Sequence, residues 1–297
     1  MKFLDLFAGI GGFRLGMEAA GHECVGYVEW DKYARKSYEA IHNTEGEWTA
    51  HDITKVTDDD LRLLRERGID IICGGFPCQS FSIAGRRLGF EDTRGTLFFE
   101  IARFAKIIKP QHLFLENVKG LLNHEGGKTF RTILTTLDEL GYDAEWQVLN
   151  SKNFGVPQNR ERVFIIGHLR GTSRRKIFPI QSTTWKIGSS IKRIANSKYY
   201  RRVYQTFDIQ GSCEALDTMQ GGGRQPCIMV NDGTLKIDIP QKVKIRKLTP
   251  KECWRLQGFS DSAFEKAEKV NSNSQLYKQA GNSVTVNVIY EIAKKLV

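Results

Sequence analysis

The first twenty residues constrain the fold more than any other stretch. Phe3-Leu4-Asp5-Leu6-Phe7 is a mostly apolar run of strand length, Ala8-Gly9-Ile10-Gly11-Gly12 is a tight glycine turn, and Phe13 to Ala20 has helical spacing. Strand, glycine turn and helix in that order open a nucleotide-binding α/β fold, with main-chain N–H groups free at the helix start. NAD and FAD enzymes use similar turns, so this feature sets the architecture and leaves the chemistry open. The next unit repeats the logic. Cys24 to Val28 reads as a second strand ending in Glu29-Trp30-Asp31. An acid at that strand end, about twenty residues beyond the glycines, is placed for ribose hydroxyls. Trp30 reads either as a surface for an adenine ring or as an ordinary core aromatic, and its burial decides between them.

The alternation continues. Trp48 to Thr54 is a short third strand end with Asp52 exposed, and Asp58-Asp59-Asp60 caps a helix running to Arg67. Asp70-Ile71-Ile72-Cys73 is a buried strand that stops at Gly74-Gly75 and leads into Phe76-Pro77-Cys78-Gln79-Ser80-Phe81-Ser82. A single cysteine is most simply a small buried hydrophobe. Cys78, however, follows a proline that fixes its mount, two glycines that clear space, and a strand end where ligands collect. Its polar companions Gln79, Ser80 and Ser82 are odd neighbours for a core residue. Ser80 to Gly95 reads as a loop, and Thr96 to Ile108 as a helix ended by Pro110. His112 to Leu115 is another buried strand, ending in Glu116-Asn117-Val118. Helix 127–140, strand Glu145 to Leu149 and Gln158-Asn159-Arg160-Glu161-Arg162 follow, then strand Val163 to Gly167. This order predicts a mostly parallel sheet with helices on both faces.

After Gly167 the character changes. Residues 169–250 hold 16 of the 44 Lys and Arg but only 5 of the 34 Asp and Glu, so this segment accounts for the whole net charge of +10. A basic face is often only solvated, but this asymmetry points to a polyanionic partner, nucleic acid first. Tyr199, Tyr200 and Tyr204 and a Gly221-Gly222-Gly223 turn suggest a smaller, irregular, mostly β domain. Thr249-Pro250 begins a helix, 260–275 reads as a polar loop, and Gln279 to Ser283 is expected to open a last helix to Val297. The six cysteines form no C-x-x-C pair, which fits a reducing compartment and argues against a structural metal. No apolar run reaches membrane-spanning length, and Asp5 comes too early for a signal peptide.

With these segments in place, the chain resembles the DNA cytosine-5 methyltransferases of bacterial or phage type II, monospecific kind. Gly75-Phe76-Pro77-Cys78-Gln79 resembles the family's nucleophile motif, and Glu116-Asn117-Val118 its Glu-Asn-Val. Gln158-x-Arg160-x-Arg162, Arg246-x-Leu248-Thr249-Pro250-x-Glu252 and Gly281-Asn282-Ser283 match further motifs in the same order. The resemblance implies a Rossmann-like S-adenosylmethionine-dependent sheet over 1–168 plus 276–297. It further implies a target recognition domain over 169–260 and a hinge over 261–275.

The resemblance also implies roles. Cys78, Glu116, Arg160 and Arg162 are expected to be catalytic. Phe7, Gly9, Ile10, Gly12, Glu29, Trp30, Asp52, Ile53, Pro77, Leu97, Asn282 and Ser283 would bind S-adenosylmethionine and the product S-adenosylhomocysteine. Gln79, Ser82, Asn117, Val118, Arg86, Arg87, Thr218 and Arg224 would meet DNA, and no metal is expected. Cys78 would add to C6 of a flipped cytosine, Glu116 would protonate N3, and Arg162, with Arg160 near it, would hold O2. The implied partner is double-stranded DNA, met by a cytoplasmic monomer, with any restriction endonuclease as a separate chain. Three rivals stay open: a nicotinamide or flavin dehydrogenase, a non-catalytic DNA-binding relic, and an RNA cytosine methyltransferase. The dehydrogenase leaves Pro-Cys-Gln and Glu-Asn-Val without roles, and the relic predicts lost catalytic residues that are present here.

Overall fold

The computed structural model describes residues 1–77, 97–172, 175–182, 206–207, 212–219, 225–230 and 244–296. Among these, seven strands form one sheet in the order β3-β2-β1-β4-β5-β8-β6. They are β1 (Lys2–Leu6), β2 (Glu23–Val28), β3 (Trp48–Ala50), β4 (Ile71–Gly75), β5 (His112–Val118), β6 (Tyr142–Asn150) and β8 (Glu161–Leu169). Their helices are α1 (Gly12–Ala19), α2 (Lys32–Ile41), α3 (Asp58–Glu66), α4 (Leu97–Ile108) and α5 (Lys128–Glu139). The five strands from β3 to β5 are parallel, as expected, while β8 enters antiparallel between β5 and β6. The parallel strands therefore end on one edge, where β8 begins.

Side chains alternate across the sheet and build two cores. Leu4, Leu6, Ile72, Leu113 and Leu115 pack on one face with Leu61 and Leu64 of α3, Phe98 and Phe104 of α4, and Ile133 of α5. Phe3, Ile71, Cys73 and Phe114 pack on the other with Phe13 and Met17 of α1 and with Val288, Ile289 and Ile292. These last three belong to α9 (Val286–Ala293), which returns beside α1. Local signals place the helices. Thr57 and Asp60 form a reciprocal capping box on α3, and Asp31 caps α2 through the N–H groups of Tyr33 and Ala34.

The smaller part is built from short strands. β7 (Gln158–Asn159) pairs in parallel with β10 (Cys213–Glu214), and β11 (Cys227–Val230) pairs with β9 (Thr206–Phe207) and β12 (Lys244–Lys247). Two expectations near the C-terminus fail. The polar loop over 260–275 is instead helix α7 (Asp261–Glu268) and the start of α8 (Asn273–Asn282), which follow α6 (Pro250–Arg255). Ala263, Phe264, Ala267, Leu276 and Ala280 supply the buried stripe that the polar composition conceals. Gly281-Asn282-Ser283 consequently closes α8 and turns into α9, where the opening of a helix was expected. Among the described residues, no helix is long and apolar enough to cross a membrane.

Candidate active site

The carboxyl edge of the parallel strands collects the polar residues. The end of β1 runs into Phe7, Gly9 and Gly11, all at positive φ of 55°, 58° and 83°. At Gly9 a side chain would meet open space, while at Gly12 a Cβ would lie 2.8 Å from Val284 Cγ2 and 2.9 Å from Ser283 Oγ. The missing side chain of Gly12 lets the turn close onto the break between α8 and α9. Ile10 is buried beneath it.

Glu29, at the end of β2, accepts from the Gly9 N–H (2.7 Å) and the Asp31 N–H (2.7 Å). Burial raises its pKa, and these two main-chain donors oppose the rise. Trp30 beside it is 74% exposed, which removes the core-aromatic reading. Asp52 accepts from the N–H and hydroxyl of Thr54, and Ile53 next to it is buried in the core. Leu97, the first residue of α4, is partly buried against that core. Asn282 is exposed at the end of α8, and Ser283 is buried with its hydroxyl donating to the Val284 carbonyl.

At the end of β5, Glu116 is 7% exposed and its Oε1 lies 3.0 Å from Arg162 Nε. Burial is the larger influence and raises the carboxyl's pKa, while the Arg162 and Arg160 charges pull it down. Gly75 faces Glu116 across the β4–β5 pair, and a Cβ there would sit 3.2 Å from Glu116 Oε2. Gly75 therefore makes room for the acid. Asn117 donates through Nδ2 to the Phe76 carbonyl (2.8 Å) and accepts from the Val118 N–H (2.8 Å). This ties β5 to the main chain two residues before Cys78. Pro77 and Val118 are exposed beside it.

Cys78, Gln79, Ser82, Arg86, Arg87 and Arg224 lie outside the described residues. The other five cysteines (24, 73, 213, 227 and 253) are buried, and burial pushes the Cys24 and Cys213 thiols up to about 12. Thr218 lies half-buried on a turn in which the Asp217 carboxylate accepts from the Met219 N–H (2.7 Å).

One expectation is corrected here. Arg160 does not stand beside Arg162 to face a substrate. It is 3% exposed, and its guanidinium donates to the carbonyls of Leu216 (3.1 Å), Gly281 (3.1 Å) and Ser283 (2.7 Å). Both terminal nitrogens of the fork are engaged with main-chain acceptors, which leaves no bidentate edge for a base, and the buried Nε has no hydrogen-bond partner among the described residues. Gln158, the first residue of the same motif, shares this contact. It accepts from the Leu216 N–H (3.0 Å) and donates to the Leu256 carbonyl (2.8 Å). Its signal in the sequence is only its spacing, two residues before the arginine.

The sequence matches the family model described as C-5 cytosine-specific DNA methylase over residues 1–206 and 182–297. The chain belongs to this family. It is 39% identical to the type II methyltransferase M.HpaII of Haemophilus parainfluenzae, over 99% of this chain and 88% of that protein. It is 37% identical to the type II methyltransferase M.HhaI of Haemophilus parahaemolyticus, over 99% of this chain and 93% of the relative. The S. pombe Dnmt2 methyltransferase shares the fold at 20% identity, with a TM-score of 0.73 over 100% of this chain and 98% of that one.

The protein is a DNA cytosine-5 methyltransferase that uses S-adenosylmethionine as methyl donor. The first turn fits such a donor. Open space adjoins Gly9, an indole lies exposed beside Glu29, and the Glu29 carboxylate has spent two of its roughly four acceptor directions.

Proposed function

We propose that Cys78 is the nucleophile, Glu116 the acid at N3 and Arg162 the donor to O2 of a cytosine flipped out of duplex DNA. The observation that carries this reading is the ion pair of buried Glu116 with half-buried Arg162 at the strand end whose neighbour, β4, leads into Cys78. Cys78 Sγ forms a bond to C6 as Glu116 gives a proton to N3, which leaves C5 electron-rich as an enamine carbon. S-adenosylmethionine supplies an electrophilic methyl group at that carbon. Loss of the C5 proton to a base, breaking of the Cys78–C6 bond and return of the N3 proton to the Glu116 carboxylate then restore the aromatic ring and the starting enzyme. Burial favours the protonated form of Glu116, as proton donation requires. Arg162 holds the carboxyl in place and limits how far its pKa rises.

Glu29, Trp30 and Asp52 would bind the adenosine end of the cofactor, and Phe7, Gly9, Ile10, Gly12, Asn282 and Ser283 its methionine end. Ile53, Pro77 and Leu97 would line the same cavity. Asn117 acts by fixing the Phe76 carbonyl, and hence the approach of Cys78. Gln79, Ser82, Arg86, Arg87, Val118, Thr218 and Arg224 are assigned to DNA. We assign 1–168 and 276–297 to the catalytic body and 169–260 to the recognition domain. The connecting 261–275, expected as a hinge, carries α7 against α2. The enzyme is proposed to act as a monomer in a bacterial or phage-infected cytoplasm, with any cognate endonuclease on a separate chain.

Duplex DNA in which cytosine is replaced by 5-fluorocytosine tests the covalent step, because fluorine cannot leave as a proton does. With S-adenosylmethionine present, the adduct is expected on the peptide containing Cys78. An adduct on another cysteine, or none while normal DNA is methylated, would refute the assignment.

A further inference from the structure

We infer that Gln158 and Arg160 are positioning residues that couple cofactor occupancy to DNA affinity, by joining the recognition domain at Leu216 to the turn Gly281–Ser283. The inference rests on the cofactor and DNA assignments proposed above and goes beyond them.

Both ends of one residue are held. The Leu216 N–H donates to Gln158 Oε1 at 3.0 Å, and the Leu216 carbonyl accepts from Arg160 Nη1 at 3.1 Å. The other terminal nitrogen, Nη2, spans the Gly281 and Ser283 carbonyls at 3.1 and 2.7 Å, while Nε has no hydrogen-bond partner among the described residues. One buried cation thus bridges two segments 56 and more than 120 residues away in sequence. Burial, with the like charge of Arg162, lowers the Arg160 pKa to about 9, and the group stays charged at neutral pH. A buried charge is tolerated only while its acceptors are in place. Withdrawing either segment therefore strips acceptors from a charge whose Nε already lacks one.

Packing ties the same segments independently. Gly281 has no Cβ, and one placed there would run into the Asp217 carbonyl and come within 2.8 Å of the Thr218 nitrogen. Leu216 and Met219 share one apolar cluster with Ile10 of the glycine turn and with Leu276 and Ala280 of α8. Gly12 in turn abuts Ser283 and Val284. The glycine turn, the Gly281–Ser283 turn and the recognition segment 216–219 form one contiguous contact with Arg160 at its centre. A ligand that orders one of these turns reduces the cost of ordering the others, which is a coupling between sites.

The test uses the full-length enzyme, S-adenosylhomocysteine as the non-reactive cofactor, and a duplex on which its own methylation has been mapped. DNA dissociation constants are measured with and without saturating cofactor product for wild type, Arg160→Lys, Gly281→Ala and Tyr142→Phe. The last loses a buried bond to the Pro110 carbonyl far from this contact and serves as the stability control. Wild type is expected to bind DNA at least about fivefold tighter with the product bound, and DNA is expected to tighten product binding by the same factor. In Arg160→Lys and Gly281→Ala the ratio should fall to within about twofold of unity, while Tyr142→Phe keeps the wild-type ratio despite a lower melting temperature. A wild-type ratio near one overturns the inference with no variant needed. So does an Arg160→Lys enzyme that loses stability but keeps the ratio, because that is the behaviour of a merely structural residue. A protein that binds no S-adenosylhomocysteine at all would instead overturn the cofactor reading beneath it.

Discussion

Two buried acids on the strands that flank β4 meet opposite fates. Glu116 lies at the carboxyl end of β5, with Arg162 Nε 3.0 Å away and Gly75 clearing its space. Asp5 lies inside β1 on the α1 side, fully buried, and neither of its carboxyl oxygens has a hydrogen-bond partner among the described residues. Burial raises both pKa values. That of Asp5 reaches about 8, with the Arg14 charge only partly opposing it. The contrast shows that burial alone makes a weak acid, and that position makes a useful one. At the strand edge the proton on Glu116 lies where a substrate would meet it, whereas in the strand interior the proton on Asp5 has nowhere to go.

The strongest way to break this comparison is at Glu116. Glu116→Gln keeps the size and removes the transferable proton, so kcat is expected to fall about 10²–10⁴-fold in a methyl-transfer assay. Circular dichroism and DNA binding should stay near wild type.

Asp5→Asn is next. A carboxyl with a folded pKa near 8 and an unfolded value near 4 contributes stability that is fully present below pH ~4 and lost as pH rises through 8. Subtracting the Asp5→Asn denaturation curve from that of wild type should reveal this downward slope, worth about a few kcal/mol across the window. Equal slopes in the two proteins would mean that Asp5 is ionised in the fold.

Arg162→Met sharpens the comparison by making Glu116 more like Asp5. Removing the cation lets the Glu116 pKa rise further, so the basic limb of the kcat–pH profile should move upward, alongside a lower maximum. The smallest effect is expected at the exposed indole. Trp30→Ala should weaken S-adenosylhomocysteine binding about tenfold or less, the scale of one aromatic contact, with no change in melting temperature.

Much of the fold was legible because its strands are short apolar runs ended by glycine or an acid. Ile71-Ile72-Cys73-Gly74-Gly75 and the Phe3 to Gly12 opening give their element types on sight. What escaped depends on tertiary pairing. β5 runs on through Glu116, Asn117 and Val118 because β8 pairs with all three, and polar residues carry no strand signal. The antiparallel insertion of β8 is a matter of strand order, which no local pattern encodes.

The helical character of 260–275 is hidden because lysine, glutamate, serine and asparagine dominate there. The only large side chains in the buried apolar stripe of α7 and α8 are Phe264 and Leu276, the rest being Ala263, Ala267 and Ala280. At the site, residue types and spacing pointed to Glu116 and Arg162. They could not separate Arg160 from Arg162, since two arginines two residues apart look alike until one meets three carbonyls and the other a carboxylate.

The central claim is that a thiol at Cys78 and a protonated Glu116 together methylate cytosine C5. The direct test gives methyl-labelled S-adenosylmethionine and plasmid DNA to wild type, Cys78→Ser and Glu116→Gln, and then bisulfite-sequences the DNA. The account predicts label at cytosine C5 within one short sequence for wild type, none for Cys78→Ser, and a trace for Glu116→Gln. Wild-type levels of label from Cys78→Ser, or label entering tRNA while DNA stays unmodified, would contradict it.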